Sequence, residues 1–91
     1  MKTLLVLAGI LSAGVAHARP STLDMNCSEA QALVAQEGAI VLTTGAYTFD
    51  RFVAHQGYCM QSEVTKPAWV PTFDEAQCFI GYTCGDRSGG N

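Results

Sequence analysis

Four cysteines constrain this chain more than any other feature. They occupy positions 27, 59, 78 and 84 of a 91-residue sequence. The last two, Cys78 and Cys84, enclose a short apolar run in the segment CFIGYTC. In an extended strand they would share one face about 20 Å apart, whereas a disulfide needs Cα atoms within about 4.4 to 6.8 Å. These two cysteines therefore cannot bond to each other and must reach distant parts of the chain.

The N-terminal segment has the pattern of a secretory signal peptide. Residues 1–18 contain one lysine, an uncharged apolar run from Thr3 to Val15, and small residues at Ala16 and Ala18. The apolar run is shorter than the roughly 20 residues that cross a membrane. We therefore expect cleavage after Ala18, no membrane insertion afterwards, and a product in the periplasm or outside the cell.

The segment after the leader begins with a short helix. Residues 19–25 contain proline and small polar residues and are predicted to be a flexible arm. From Asn26 the sequence NCSEAQALVAQEG places a capping residue first, Glu29 at the third helical position, and Gly38 at the end. This pattern predicts a helix within residues 26–38 that begins with a capping box and ends at glycine.

Three strands are predicted to follow the helix. Ala39–Thr43 and Ala46–Val53 flank Thr44-Gly45 as a hairpin, and CFIGYT from Cys78 is the third strand. The intervening residues 55–77 contain two prolines and are interpreted as a long loop, in which any strand would lie at a sheet edge. The predicted fold is α+β, with one N-terminal helix packed on a largely antiparallel three-stranded sheet.

Two disulfides are expected to hold this domain together. Cleavage leaves 73 residues, and a core of that size supplies only about 3 to 5 kcal/mol. An even number of cysteines in an exported chain predicts disulfides, each worth on the order of 3 kcal/mol. If the third strand runs back from Cys59 toward the hairpin turn, the pairs are Cys27–Cys84 and Cys59–Cys78. The stapled domain then spans residues 26–84, with a flexible tail at 85–91.

The charge balance narrows the classes of partner. The net charge of the whole chain is −3, and removal of Lys2 with the leader makes it −4. A thinly charged acidic surface repels phosphate backbones and anionic lipids. We therefore expect no binding to nucleic acid or to membrane surfaces, while a protein partner, including a basic one, remains permitted.

The sequence predicts no metal, cofactor or catalytic site. The closest cysteines are six positions apart, without the Cys-x2-4-Cys spacing of zinc sites or the Cys-x-x-Cys motif of redox enzymes. His55 has Asp50 and Tyr58 near it in sequence, but no nucleophile is placed to complete a triad, so it is interpreted as a loop residue. The neighbouring carboxylates Asp74 and Glu75 are interpreted as a solvated turn.

Trp69 is the candidate interaction residue. It lies between two prolines in PAWVP, and tryptophan is enriched at binding hot spots. The alternative interpretation is that a single tryptophan closes the core beneath the long loop, and the sequence favours this second interpretation.

Several motifs together resemble a group of small exported bacterial proteins with four cysteines. The shared features are the Asn-Cys helix start, GAIVLTTG as GA-x-V-L-x-T-G, TFDRFV as T-[YF]-D-R-[YF]-V, PAWVPTFD as P-A-x-x-P-T-x-D, and QCFIGYTC as Q-C-x-x-G-Y-x-C. The resemblance covers nearly the whole region after the leader. It implies a bacterial exported disulfide domain and transfers no catalytic residue.

The predicted function is a non-enzymatic binding module, periplasmic or secreted, with an unknown protein partner. The alternative is a small extracytoplasmic enzyme or thiol-redox factor that uses His55 or a labile cysteine.

Overall fold

The structure is a computed structural model that describes residues 19–87. Within these residues the regular elements are one α-helix and four strands: α1 Cys27–Glu37, β1 Ala39–Thr43, β2 Phe49–Val53, β3 Glu63–Val70 and β4 Cys78–Asp86. The α+β class with two disulfides is confirmed. The signal peptide predicted for residues 1–18 lies outside the described residues.

Helix α1 forms as its local sequence predicts. The Asn26 side chain accepts a hydrogen bond from the Glu29 amide, and the Glu29 carboxylate accepts one from the Asn26 amide, both at 2.9 Å. This reciprocal pair is a capping box. Gly38 ends the helix with φ at 80°, a conformation that glycine adopts without steric cost.

The strands form one antiparallel sheet in the order β1-β2-β4-β3. The prediction of three strands was wrong because Glu63–Val70, inside the segment expected to be a loop, is β3. Pro67 obscures this strand in the sequence, since proline has no amide to donate to a ladder. The strand nevertheless lies at an edge of the sheet, as expected for a strand that contains proline.

The first hairpin differs from its prediction only at the second strand. β1 has the predicted bounds, but β2 begins at Phe49 rather than Ala46. The Thr44 amide donates to the Thr48 carbonyl at 3.0 Å, and the two threonine hydroxyls are 2.9 Å apart. These hydrogen bonds close a wider loop than the two-residue turn expected around Gly45.

The core lies between α1 and one face of the sheet. Its buried members come from the helix and all four strands: Ala30, Val34, Leu42, Phe52, Val70, Cys78 and Ile80. β4 lies in the centre of the sheet, between β2 and β3. The strand that carries both Cys78 and Cys84 therefore packs against the helix and pairs with a strand on each side.

The segment predicted to be a flexible arm is instead held against the sheet. Ser21 forms a parallel bridge with Thr43, and a 3-10 turn spans Thr22–Asp24. Thr22 is fully buried, and its hydroxyl donates to the Pro71 carbonyl at 2.7 Å. At the other end β4 continues to Asp86, so the first two residues of the predicted tail belong to a strand. Residues 88–91 lie outside the described part of the chain.

A bulge in β4 reverses which face its later residues occupy. Trp69 pairs with Phe79, but the next residue back, Ala68, pairs with Gly81, so Ile80 is an extra residue in β4. Cys78 pairs with Val70, whose side chain is buried against α1. Cys84 pairs with Thr65, which precedes Val70 by five positions in β3. An odd separation along β3 means opposite faces, so Cys78 and Cys84 do not share a face as the sequence predicted.

The disulfides are Cys27–Cys78 and Cys59–Cys84, each with Cα atoms 5.6 Å apart. The predicted pairing was therefore wrong. It assumed that the last strand begins beside Cys59, but β3 first carries the chain away from Cys59, and antiparallel β4 returns toward it. We name Cys27–Cys78 the inner disulfide, because it joins β4 to the helix. Cys59–Cys84 is the outer disulfide, because it lies on the opposite face of the sheet.

Candidate functional site

Three aromatic side chains form a continuous surface on the face of the sheet opposite α1. Trp69 and Phe79 are direct cross-strand partners, with ring centroids 5.6 Å apart. Tyr82 meets Phe79 edge-on, with centroids 5.5 Å apart. We call Trp69, Phe79 and Tyr82 the aromatic strip, and the sheet face that carries them the outer face.

The strip is built by the register of β3 and β4. In β3, every second residue from Glu63 to Trp69 points to the outer face, and the partners of Pro67 and Trp69 are Tyr82 and Phe79. Without the extra residue in β4, Tyr82 would point toward the helix. The bulge therefore brings three aromatic residues together from positions whose spacing in the sequence does not suggest it.

Trp69 does not close the core, as the favoured interpretation held. It is 56% exposed, and Phe79 is 38% exposed. An exposed indole in the edge strand β3, beside a second exposed ring in β4, supports the other interpretation, a contact surface. Sequence reasoning found Trp69 but missed its two partners. Phe79 and Tyr82 were assigned to a core strand, and Gly81 between them was the one signal of irregular strand geometry.

A shallow apolar groove adjoins the strip on the helix side. Its volume is about 330 Å³, and it is lined by Gln31, Val34, Ala35, Ala54, Ile80 and Gly81 together with edges of Phe79 and Tyr82. The groove exists because β2 pairs with β4 only at Val53 and Tyr82. Gln31 partly fills the gap in the ladder, since its side-chain amide donates to the Phe79 carbonyl at 2.9 Å.

The outer disulfide lies farther along the same face. Cys84 pairs with Thr65, two positions from Pro67 at the strip. Cys59 follows a 3-10 turn at Gln56–Tyr58, and both bridged cysteines are half-buried. The disulfide fixes the loop before β3 over the outer face, so it borders the aromatic strip.

His55 has a structural role in that loop. It is the N-cap of the Gln56–Tyr58 turn, with Nδ1 accepting a hydrogen bond from the Gly57 amide at 3.0 Å. Its ring packs against Tyr58 at 4.9 Å. The Asp50 carboxylate accepts a hydrogen bond from the amide of Arg51 at 2.8 Å. Within residues 19–87 the structure therefore assembles no hydrogen-bonded triad at His55.

Asp74 supports the start of the helix. Its carboxylate accepts from the Cys27 amide at 2.8 Å and from the Thr72 hydroxyl at 2.9 Å. These hydrogen bonds, the one from Cys27 above all, lower the pKa of Asp74 below its ordinary value of 3.8. Glu75 contributes its backbone carbonyl to the same turn, accepting from the Thr72 amide at 2.8 Å. The turn before β4 is thus a cap that joins two elements.

All four cysteines are in disulfides, so the structure presents no thiol nucleophile. Within the described residues, no helix combines the length and apolar character needed to span a membrane.

Comparison with known proteins gives no relative from which to read a function. No protein-family model, no curated protein and no solved structure matches this chain. The functional interpretation therefore depends on the aromatic strip and the outer disulfide.

Proposed function

We propose that this chain is an exported, non-enzymatic binding module of the bacterial four-cysteine group it resembles, and that it holds a protein partner through the aromatic strip. The observation that carries the proposal is the exposure of Trp69, 56%, beside Phe79 on the outer face of the sheet. Interfaces concentrate their binding energy in a few central aromatic residues of this kind.

The surroundings of the strip make it suited to binding. Its rings contact each other across β3 and β4, and one disulfide ties β4 to the helix while the other ties it to the loop before β3. A surface held rigid before binding loses little conformational entropy when a partner docks. The disulfides therefore serve affinity as well as stability.

The charge of the region after the predicted leader favours neutral or basic partners. That region carries four basic and eight acidic side chains. An acidic protein associates faster with a basic partner, and the effect decreases as salt is added. This charge supports a protein partner over nucleic acid or anionic lipid.

Affinity capture with paired variants tests the proposal. A tagged form is expressed in its native host and recovered from the envelope and the medium with whatever it retains. Trp69→Ala should weaken retention of the partner about 30-fold, because truncating a hot-spot residue costs at least about 2 kcal/mol. Tyr47→Ala is the matched control, since Tyr47 is a 95% exposed aromatic in the β1–β2 loop, away from the strip.

Two outcomes would count against the proposal. One is that no partner is ever retained by the parent protein in either fraction. The other is that the Trp69 and Tyr47 variants lose a retained partner equally, which would place the contact surface elsewhere.

A second candidate function, a thiol-redox factor, is favoured by the position of the outer disulfide. Both of its cysteines are half-buried at the surface, whereas Cys78 of the inner disulfide is only 1% exposed. Titration of free thiols in the exported protein as it is recovered, without added reductant, separates the two candidates. A binding module needs no reactive thiol, whereas a redox factor must cycle between its disulfide and dithiol forms.

A further inference from the structure

The two disulfides differ in their accessibility to a reductant. The inner disulfide joins Cys27, which is half-buried, to Cys78, which is 1% exposed in the hydrophobic core under α1, so one of its two sulfur atoms is shielded. The outer disulfide joins two half-buried residues on the opposite face. Thiol–disulfide exchange requires the attacking sulfur to reach the bridge, so the accessible bridge reacts first. Reduction should therefore open Cys59–Cys84 while Cys27–Cys78 stays closed.

The loop that carries Cys59 is held by hydrogen bonds that do not depend on its disulfide. The Cys59 amide donates to the Gln56 carbonyl, and the Glu63 amide donates to the Met60 carbonyl, both at 2.9 Å. The Gln56 side chain also bridges to β3, donating to the Glu63 carbonyl at 2.8 Å and accepting from the Thr65 amide at 3.1 Å. After reduction, these bonds would keep the two sulfur atoms close together.

A carboxylate completes the group. The two sulfur atoms and a carboxylate oxygen of Glu63 all lie within 4.8 Å of one another. The Met60 amide donates to Oε1 of Glu63 at 2.8 Å, which orients the carboxylate. This is the arrangement in which a hydrogen-bonded neighbour fixes a metal ligand.

The charges around the group suit a divalent cation. Two thiolates and one carboxylate carry three negative charges, which a divalent cation reduces to one. The positive charge nearby, on Arg87, is held by backbone carbonyls. Its guanidinium donates to the Gln61 carbonyl at 3.0 Å and to the Glu63 carbonyl at 3.3 Å. Asp86 is opposite Glu63 in the strand register and adds a further acidic side chain nearby.

We propose that Cys59, Cys84 and Glu63 form a zinc site when the outer disulfide is reduced. A dithiol reductant supplies two electrons and two protons, the Sγ–Sγ bond breaks, two thiols form, and the reductant becomes a disulfide. Zn²⁺ then binds both sulfurs as thiolates and displaces their two protons to solvent. Two thiolates and a carboxylate are zinc ligands, and water takes the fourth tetrahedral position.

This site goes beyond the proposed binding function and does not depend on it. The sequence predicts no metal site because the nearest cysteines along the chain lack the spacing of zinc ligands. The structure instead brings together Cys59 and Cys84, which are 25 positions apart. In the oxidised protein their sulfur atoms bond to each other, so the site exists only in the reduced form.

The test begins with selective reduction. The oxidised protein is treated with a water-soluble phosphine, which is converted to its oxide and adds no competing thiol, and alkylated peptides are mapped to locate the opened bridge. The reduced protein is then titrated with Zn²⁺ alone by calorimetry and with Co²⁺ alone by absorption. We expect only Cys59 and Cys84 to be alkylated, one metal to bind per chain, and Co²⁺ to give a sulfur-to-metal charge-transfer band.

Variants of the three ligands separate this site from adventitious binding. Cys59→Ser with Cys84→Ser should abolish the Co²⁺ charge-transfer band. Glu63→Gln, which keeps the acceptor for the Met60 amide, should weaken Zn²⁺ binding at least about 10-fold. Glu75→Gln is the matched control for loss of one exposed carboxylate and should bind as the parent does. Simultaneous opening of both disulfides, or equal Zn²⁺ affinity in the parent and the Glu63 variant, would overturn the proposal.

Discussion

Removing the outer disulfide tests how this small domain stays folded. Replacing Cys59 and Cys84 together with alanine should lower the free energy of unfolding by about 3.5 kcal/mol, the chain-entropy value for the 25-residue separation that the bridge closes. In a domain of this size the loss corresponds to a fall in melting temperature of roughly 14 to 28 °C. The inner disulfide spans 51 residues, for which the same relation gives about 4.1 kcal/mol.

Urea unfolding followed by far-ultraviolet circular dichroism measures these losses, and peptide mapping establishes which cysteines remain bonded. Cys27 and Cys78 should stay linked in the outer-disulfide variant. Replacing Cys27 and Cys78 with alanine should cost more than replacing Cys59 and Cys84, because Cys78 also fills space in the core. A loss below about 1 kcal/mol for the outer pair would refute the entropy argument. Free thiols at Cys27 and Cys78 in that variant would refute the pairing itself.

Two further predictions concern single residues around the helix and the bulge. The hydrogen bonds to Asp74 lower its pKa in the folded state below the ordinary value of 3.8. Its contribution to the free energy of unfolding is therefore complete above pH 3.8 and is lost as the pH falls through the lower, folded-state pKa. In Asp74→Asn, the free energy of unfolding should decrease less than in the parent between about pH 6 and about pH 2. Gly81→Ala should lower the free energy of unfolding by roughly 1 to 3 kcal/mol in urea, because φ at this residue is 144° and the new Cβ would lie 2.8 Å from the Val53 carbonyl oxygen. Gly85→Ala is the control and should cost far less, since the new Cβ would meet only the flexible Lys66 side chain.

Local signals in the sequence were sufficient for the helix and the first strand. The capping box joins Asn26 to Glu29, and the Gly38 amide donates to the Val34 carbonyl. Each signal acts within about one helical turn, so its effect does not depend on the rest of the fold. β1 was predicted with its observed bounds for the same reason. The loop before β2 was predicted too short because the side chains of Thr44 and Thr48, which the pattern of apolar residues does not register, close it.

Nonlocal features could not be predicted in this way. β3 combines polar residues with Pro67, and only its pairing with β4 makes it a strand. Once that strand was missed, the direction of β4 relative to Cys59 was reversed, and the disulfide pairing was reversed with it. The candidate site was predicted in part: Trp69 was identified from its residue type, but its neighbours depend on a cross-strand register that the sequence does not state.

The bulge at Ile80 connects the stability of this domain to its candidate site. In a regular strand, cysteines six positions apart would face the same side, and both disulfides would have to be made on one face of the sheet. The extra residue sends Cys78 to the helix and turns Tyr82 and Cys84 to the outer face. The aromatic strip and the outer disulfide therefore have one structural cause. A change that straightens β4 should disturb both the surface and the covalent bond beside it, whereas a change in α1 that only weakens the core should leave the register of the strip unaltered.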